Sequence, residues 1–128
     1  MDCDEETIEV LYNDAYGGYG LSDKAMKMFE ERKTNEDSED DRSTPLILGI
    51  FHELGVEFSN KFCEVKSRKI SKKYEDFYHI SEYDGKETVE IDYPHYDLVS
   101  ILLDDTMTDS EKINKLKERF TRPVLIHF

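Results

Sequence analysis

Side chains able to do chemistry are few in this chain, and their spacing is informative mainly by what it lacks. A Gly17-Gly18-Tyr19-Gly20 loop stands between a strand-like and a helix-like segment. In that setting backbone N–H groups at a helix N-terminus can cradle phosphate. The match goes no further, because neither the G-x-G-x-x-G spacing nor a G-K-[ST] ending is present. Asp14 and Asp23 flank the loop where a phosphate site would want cations. A tight turn that needs positive φ accounts for the glycines more simply. Around the loop stand Tyr12, Asn13, Asp14, Tyr16 and Tyr19. Tyrosine joins a large apolar area to a hydrogen-bonding tip, which suits a recognition surface as well as the rim of a core.

A second candidate is a pair of carboxylates. Pairing about Asp84-Gly85 sets Glu82 opposite Glu87, and like charges directly opposed on neighbouring strands are destabilising. Compensation would come from a Lys or Arg elsewhere, from a metal, or from exposure at the hairpin tip. Such a pair could raise one pKa for general acid work. No second partner is fixed by spacing, so a solvated tip is the simpler reading. A third candidate is the basic stretch Lys61, Lys66, Arg68, Lys69, Lys72 and Lys73. It reads first as an edge strand protected from aggregation by lysines. It could also neutralise the acidic Glu36 to Asp41 segment of this or a neighbouring molecule. The histidines, His52, His79, His95 and His127, are scattered. Neither CxxC, HxxxH nor HExxH occurs, so no catalytic residue, metal or cofactor is assigned.

The elements that must position these groups follow from periodicity. Thr7 to Tyr12 alternates as a strand, with Ile8, Val10 and Tyr12 on one side. Ser22 caps a helix that carries Leu21, Ala25, Met28, Phe29 and Arg32 on one face. Thr34 to Arg42 holds five carboxylates and nothing to bury, and reads as a mobile acidic loop. Ser43 or Thr44 then caps a helix with Pro45 at its first position and Gly55 beyond its end. Its buried face is Leu46, Ile47, Ile50, Phe51 and Leu54. Cys63 to Ile70 is the next strand. Tyr78 to Tyr83 and Lys86 to Ile91 flank Asp84-Gly85 as a type I′ hairpin, with Ile80 facing Val89 and Tyr78 facing Ile91. Asp97 to Leu103 is a helix with Leu98, Ile101 and Leu102 inward. Thr108 with Glu111 is a capping box that opens a last helix with Ile113, Leu116 and Phe120 inside. Pro123 to Ile126 could add an edge strand.

Composition bounds the function. The 128 residues include fifteen aromatics, seven Phe and eight Tyr, which argue for a packed interior. The net charge of −13 repels phosphate backbones and anionic lipid, so neither nucleic acid nor a membrane is expected as a partner. Pro45 to Phe51, the longest mostly apolar run, is too short to span a bilayer. Cys3 and Cys63 make no disulfide framework, and Met1 is followed by an acidic run rather than a leader. Both point to a reducing intracellular compartment.

The run Tyr12-Asn13-Asp14-Ala15-Tyr16-Gly17-Gly18-Tyr19-Gly20-Leu21-Ser22 resembles the opening of an uncharacterised family encoded by large DNA viruses of eukaryotes and some large phages. Glu53-Leu54-Gly55, Asn60, Cys63, and Glu82-Tyr83-Asp84-Gly85 with Glu87 are similar to later parts of its pattern. The likeness spans Tyr12 to Glu87 and leaves out the acidic loop. It implies a virus-encoded protein acting in the infected cytoplasm or packaged in a virion, and supplies no activity, cofactor or catalytic residue.

The expected architecture is one α+β domain over residues 1–128. A small antiparallel sheet of Thr7–Tyr12, Cys63–Ile70 and the Tyr78–Ile91 hairpin would be covered by about four helices. The expected function is a binding or assembly module rather than an enzyme. It would contact another protein through Tyr12, Asn13, Asp14, Tyr16 and Tyr19 and through Tyr83, Asp84 and Glu87. The alternative is a small enzyme or ligand-binding protein with its site at the Gly17–Gly20 loop, which would bring Asn13, Asp14 or Glu87 near a histidine. A third reading is a structural component that associates with itself through Lys66, Arg68, Lys69, Lys72 and Lys73 against the acidic loop, weakened by salt.

Overall fold

Two strands at the centre of the first part of the chain pair antiparallel: β1 (Thr7–Asn13) and β2 (Val65–Ser71). The computed structural model in which they are seen describes residues 6–120. Val10 and Leu11 are neighbours in sequence and therefore point to opposite faces of the ribbon. Both are fully buried. The alternation of Ile8, Val10 and Tyr12 thus captures only one of two covered faces.

On the Leu11 face lie α1 (Asp23–Arg32) and α2 (Pro45–Leu54). Leu11 and Val65 pack there with Ala25, Phe29, Ile47, Ile50 and Phe58. Ser22 caps α1 by accepting a hydrogen bond from the Ala25 N–H, and Thr44 caps α2 in the same way at Ile47, ahead of Pro45. On the Val10 face lies the hairpin of β3 (Tyr78–Tyr83) and β4 (Lys86–Ile91). Its register is the expected one, with Tyr78 opposite Ile91 and Ile80 opposite Val89. Val10, Ile70 and Val89 form that core, with Ile8, Tyr12, Tyr74, Tyr78, Ile80 and Ile91 packed around it.

The α+β class holds, but the strands make two separate two-stranded antiparallel ladders rather than one sheet. The physical reason is the hairpin's own pattern. Its apolar side chains share one face, so it buries more by stacking on the ribbon than by extending its edge. A lone two-stranded hairpin is marginal in water, and this packing stabilises it.

β2 begins two residues later than its periodicity suggests. Asn60–Cys63 forms a turn first, and the Cys63 thiol donates to the Gly20 carbonyl at 3.1 Å. The acidic segment 34–42 folds into two turns closed by side chains. Asp37 accepts from the Thr34 N–H and hydroxyl, and Asp41 accepts from the Ser38 N–H.

The chain divides into two compact units, 1–91 and 92–128. The second contains α3 (Tyr93–Leu102) and α4 (Asp109–Phe120). α3 starts four residues earlier than the apolar pattern indicates, because Asp92 caps it at the His95 N–H and Pro94 sits in its first turn. The capping box is present: Thr108 accepts from the Glu111 N–H at 3.1 Å, and Glu111 accepts from the Thr108 N–H at 2.8 Å. Two contacts set the helices antiparallel. Lys112 donates to the Leu102 carbonyl, and Arg119 pairs with Asp97.

The expected interior of these helices needs correction. Ile101 is buried, but α4 buries no residue fully, and Leu98, Leu102, Ile113 and Phe120 are exposed. Two helices alone cover only the stripe between them. Cys3, His127 and the Pro123–Ile126 segment lie outside the described residues. No described helix is long and apolar enough to cross a membrane.

Candidate functional site

The tyrosine–glycine loop and the hairpin tip, distant in sequence, meet at the end of β1. Asn13 is the joint. Its side chain is fully buried and uses its whole hydrogen-bonding capacity. Nδ2 donates to the carbonyls of Ala15 at 2.7 Å and Gly85 at 2.8 Å. Oδ1 accepts from the N–H groups of Ala15 and Glu64. One amide therefore ties the loop, the hairpin turn and the segment leading into β2.

The Asn13 backbone N–H donates to Glu87 Oε1 at 2.8 Å. Glu87 sits on the inner face of β4, two residues before Val89, so the pleat turns it inward. The opposed pair Glu82 and Glu87 exists in the expected register, yet the two carboxylates have different fates. Glu82 is exposed and accepts from the Gly85 N–H at 2.6 Å. Glu87 is buried and takes a bidentate pair from Arg42, Nη1 to Oε1 at 2.7 Å and Nη2 to Oε2 at 3.0 Å. The solvated-tip reading holds for one carboxylate and fails for the other.

Arg42 is the residue that sequence reasoning missed. Its guanidinium lies 3.6 Å from the centre of the Tyr19 ring, and its backbone carbonyl accepts from the Leu11 N–H. The available signal was that Arg42 is the sole cation in the nine-residue acidic stretch 34–42. Tyr19 covers the pair from outside. Its hydroxyl is buried and makes no hydrogen bond among the described residues, and burial pushes its pKa well above the usual tyrosine value against the pull of Arg42.

Glycines let the backbones come this close. A Cβ at Gly17 would overlap the Phe62 carbonyl, and one at Gly85 would press on the Tyr16 carbonyl and the Gly18 nitrogen. Asp84 and Gly85 both have positive φ, 55° and 91°, as a type I′ turn requires. The loop is thus held between the hairpin turn and the Phe62 segment.

What reaches solvent is aromatic. Tyr16 is 62% exposed and Tyr83 78%, and Phe62 is exposed beside Gly17. Asp14 and Asp84 lie at the same rim, whereas Tyr12 packs half-buried in the hairpin-side core. Asp14 accepts from Lys66 at 2.7 Å with Lys86 at 3.7 Å. The Lys66 hydrogen bond, opposed by partial burial and helped by both lysine charges, holds the Asp14 carboxyl below its usual pKa.

The basic stretch makes contacts within its own chain. Lys69 stands opposite Glu9, Lys72 pairs with Glu6, and Lys73 lies over the Tyr74 ring. Arg68 donates to the Val89 carbonyl and so ties the ribbon to the hairpin. Burial pushes the Glu9 carboxyl up, but hydrogen bonds from Ser67 and His52 and the nearby charges of His52 and Lys69 outweigh it and leave the pKa lowered. His52 pairs with Glu9 and His79 with Glu90, away from Asn13 and Glu87. Among the described residues no group of three His, Cys, Asp or Glu side chains is placed to hold a metal ion.

Chemically, both Glu87 oxygens are occupied and Asn13 has no free valence. The cluster fixes backbone on which the exposed Tyr16 and Tyr83 stand. Comparison with protein-family models, curated proteins and solved structures gave no match to this chain.

Proposed function

We propose that residues 6–91 form a protein-binding module whose contact surface is the Tyr16 loop and the Tyr83 hairpin tip, with Phe62 between them. One observation carries this reading: exposed aromatics stand on backbone that a buried Asn13–Glu87–Arg42 network holds in place. Aromatic anchors dominate binding energy at interfaces, and anchors already ordered before binding lose less conformational entropy on association. Asn13, Glu87 and Tyr19 act beneath the surface, while Asp14 and Asp84 contribute at its rim. The charge of −13 favours a partner with a basic face. Resemblance of the opening motif to proteins of large DNA viruses supports a partner met in an infected cell or a particle.

The alternative of a small enzyme at the glycine loop is less supported. The loop's backbone is packed against Phe62 and Gly85, and the Asn13 and Glu87 side chains, the groups such a site would need, are already bonded.

The test is capture of partners from the native source by cross-linking, comparing the wild type with a Tyr16→Ala, Tyr83→Ala double variant. A stoichiometric partner lost by about thirtyfold or more in affinity, with unchanged thermal unfolding, is the expected result. Undiminished capture by the variant would sink the reading.

A further inference from the structure

β2 has an edge that is left open among the described residues. In an antiparallel ladder, hydrogen-bonded and non-bonded pairs alternate. The Asp14 N–H donates to the Glu64 carbonyl at one end of the ribbon, and the Lys72 N–H to the Glu6 carbonyl at the other. The bonded pairs between them are therefore Tyr12 with Lys66, Val10 with Arg68 and Ile8 with Ile70. The backbone groups of Val65, Ser67 and Lys69 thus point away from β1. Ser59 Oγ accepts from the Val65 N–H at 2.8 Å. The Val65 carbonyl, and both the N–H and the carbonyl of Ser67 and Lys69, have no hydrogen-bond partner among the described residues.

The open edge runs into a groove of about 640 Å³, the size of a ligand site. Phe51, Val56 and Val65 line it, and Lys61, Glu64 and Lys66 are its charged groups. Val56 is 94% exposed. Lys66 is held by Asp14. Lys61 forms no ion pair among the described residues and its N–H groups donate to no acceptor there; its ammonium lies 5.2 Å from the centre of the exposed Phe62 ring.

An extended peptide laid antiparallel on β2 ends its chain beside Val65. Directly opposed residues share one face of a ladder, so its last side chain falls on the Val65 face, where Phe51 packs against the same core. Its last N–H meets the Val65 carbonyl. Its carboxylate finds the Val65 N–H already given to Ser59, and Lys61 is the cation left to receive it. Charges more than about 8 Å away are screened at physiological salt, so the acidity of the whole chain does not forbid a carboxylate held against Lys61. A second copy of β2 is the wrong occupant. Lys66, Arg68 and Lys69 are the only charged side chains of that strand, and self-pairing sets cation against cation.

We propose that β2 and this groove bind the free C-terminus of another protein as an added strand. An apolar last side chain fills the groove, and the terminal carboxylate sits on Lys61. The site uses neither Tyr16 nor Tyr83, so it stands apart from the aromatic surface.

A solid-phase library of pentapeptides with free C-termini, screened against the full chain, supplies the probe, and fluorescence anisotropy on its tightest binder measures affinity. The selected peptides should end in an apolar residue. Amidating the C-terminus and Lys61→Glu should each weaken binding at least about tenfold. Val56→Asp, at an exposed position, should do the same, as should Lys69→Pro, which removes an N–H facing away from β1. Thermal unfolding of Lys61→Glu and Val56→Asp should match the wild type, and the Tyr16→Ala, Tyr83→Ala variant should bind undiminished. Equal binding of acid and amide overturns the carboxylate site. Binding that survives both Val56→Asp and Lys69→Pro overturns the strand addition. A library without a binder at millimolar concentration overturns the proposal as a whole, and so does binding lost only in the tyrosine variant, since the peptide would then sit on the aromatic surface.

Discussion

Residues 6–91 and residues 92–120 solve the problem of burying apolar surface in opposite ways. The first unit has a ribbon covered on both faces, so that adjacent residues Val10 and Leu11 each reach a core. The second has two helices and, in α4, no fully buried side chain. The difference lies less in composition than in layers. Three layers make two interiors, while two helices make one seam and leave their outer faces wet. Where a core is that complete, a charged pair can be drawn inside, as Arg42 and Glu87 are. Where it is not, apolar side chains such as Leu102 and Ile113 stay exposed.

The sharpest way to break this contrast is at the buried pair. Removing one partner leaves an uncompensated buried charge, so Arg42→Ala should destabilise the first unit by about 3–5 kcal/mol. Combined replacement by Arg42→Met and Glu87→Leu should cost less than the sum of the two single changes, because no charge is then stranded and the remaining penalty is the Asn13 N–H left without its acceptor. Denaturant titration followed by tyrosine fluorescence measures both. Equal additivity would show that the pair is no more than two independent surface charges.

Gly17→Ala should cost about 1–3 kcal/mol, since a methyl group there overlaps the Phe62 carbonyl and either the loop or Phe62 must move. The same experiment reports it, and a neutral effect would mean that the loop is not clamped.

A smaller effect sharpens the other half of the comparison. Thr108→Ala removes one bond of the capping box and should lower the stability of the α3–α4 hairpin by about 1 kcal/mol. Hydrogen exchange should show the loss within residues 92–120 and leave β1 protected. Loss of protection in both units would mean that they unfold as one.

The slightest expected change is in acid. Glu9 and Asp14 both have folded pKa values below their ordinary ones. Their contribution is therefore complete above the unfolded carboxylate range near pH 4 and is lost as pH falls through it toward the lowered folded values. Asp14→Asn should flatten the acid side of the stability curve a little, and an unchanged curve would show the Lys66 contact to be energetically silent.

Much of this was readable in the residues because it depends on neighbours in sequence. Cap positions at Ser22, Thr44 and Thr108 follow from local side-chain-to-backbone bonds, and Asp84-Gly85 sets the hairpin register through its φ preferences alone. The α+β class follows from the change of period along the chain. The site was legible only in part. Glu82 opposite Glu87 could be derived from the register, but not which of them turns inward to a cation.

That choice belongs to tertiary structure, for a physical reason. Arg42 is 45 residues from Glu87, and Asn13 is 72 from Gly85. No local preference encodes such meetings; they exist only once both faces of the ribbon are covered and the desolvated carboxylate must find its donors. The sequence by itself determined the elements, their caps and the turn. Packing decided which tyrosine braces the interior, Tyr19, and which ones, Tyr16 and Tyr83, are left exposed.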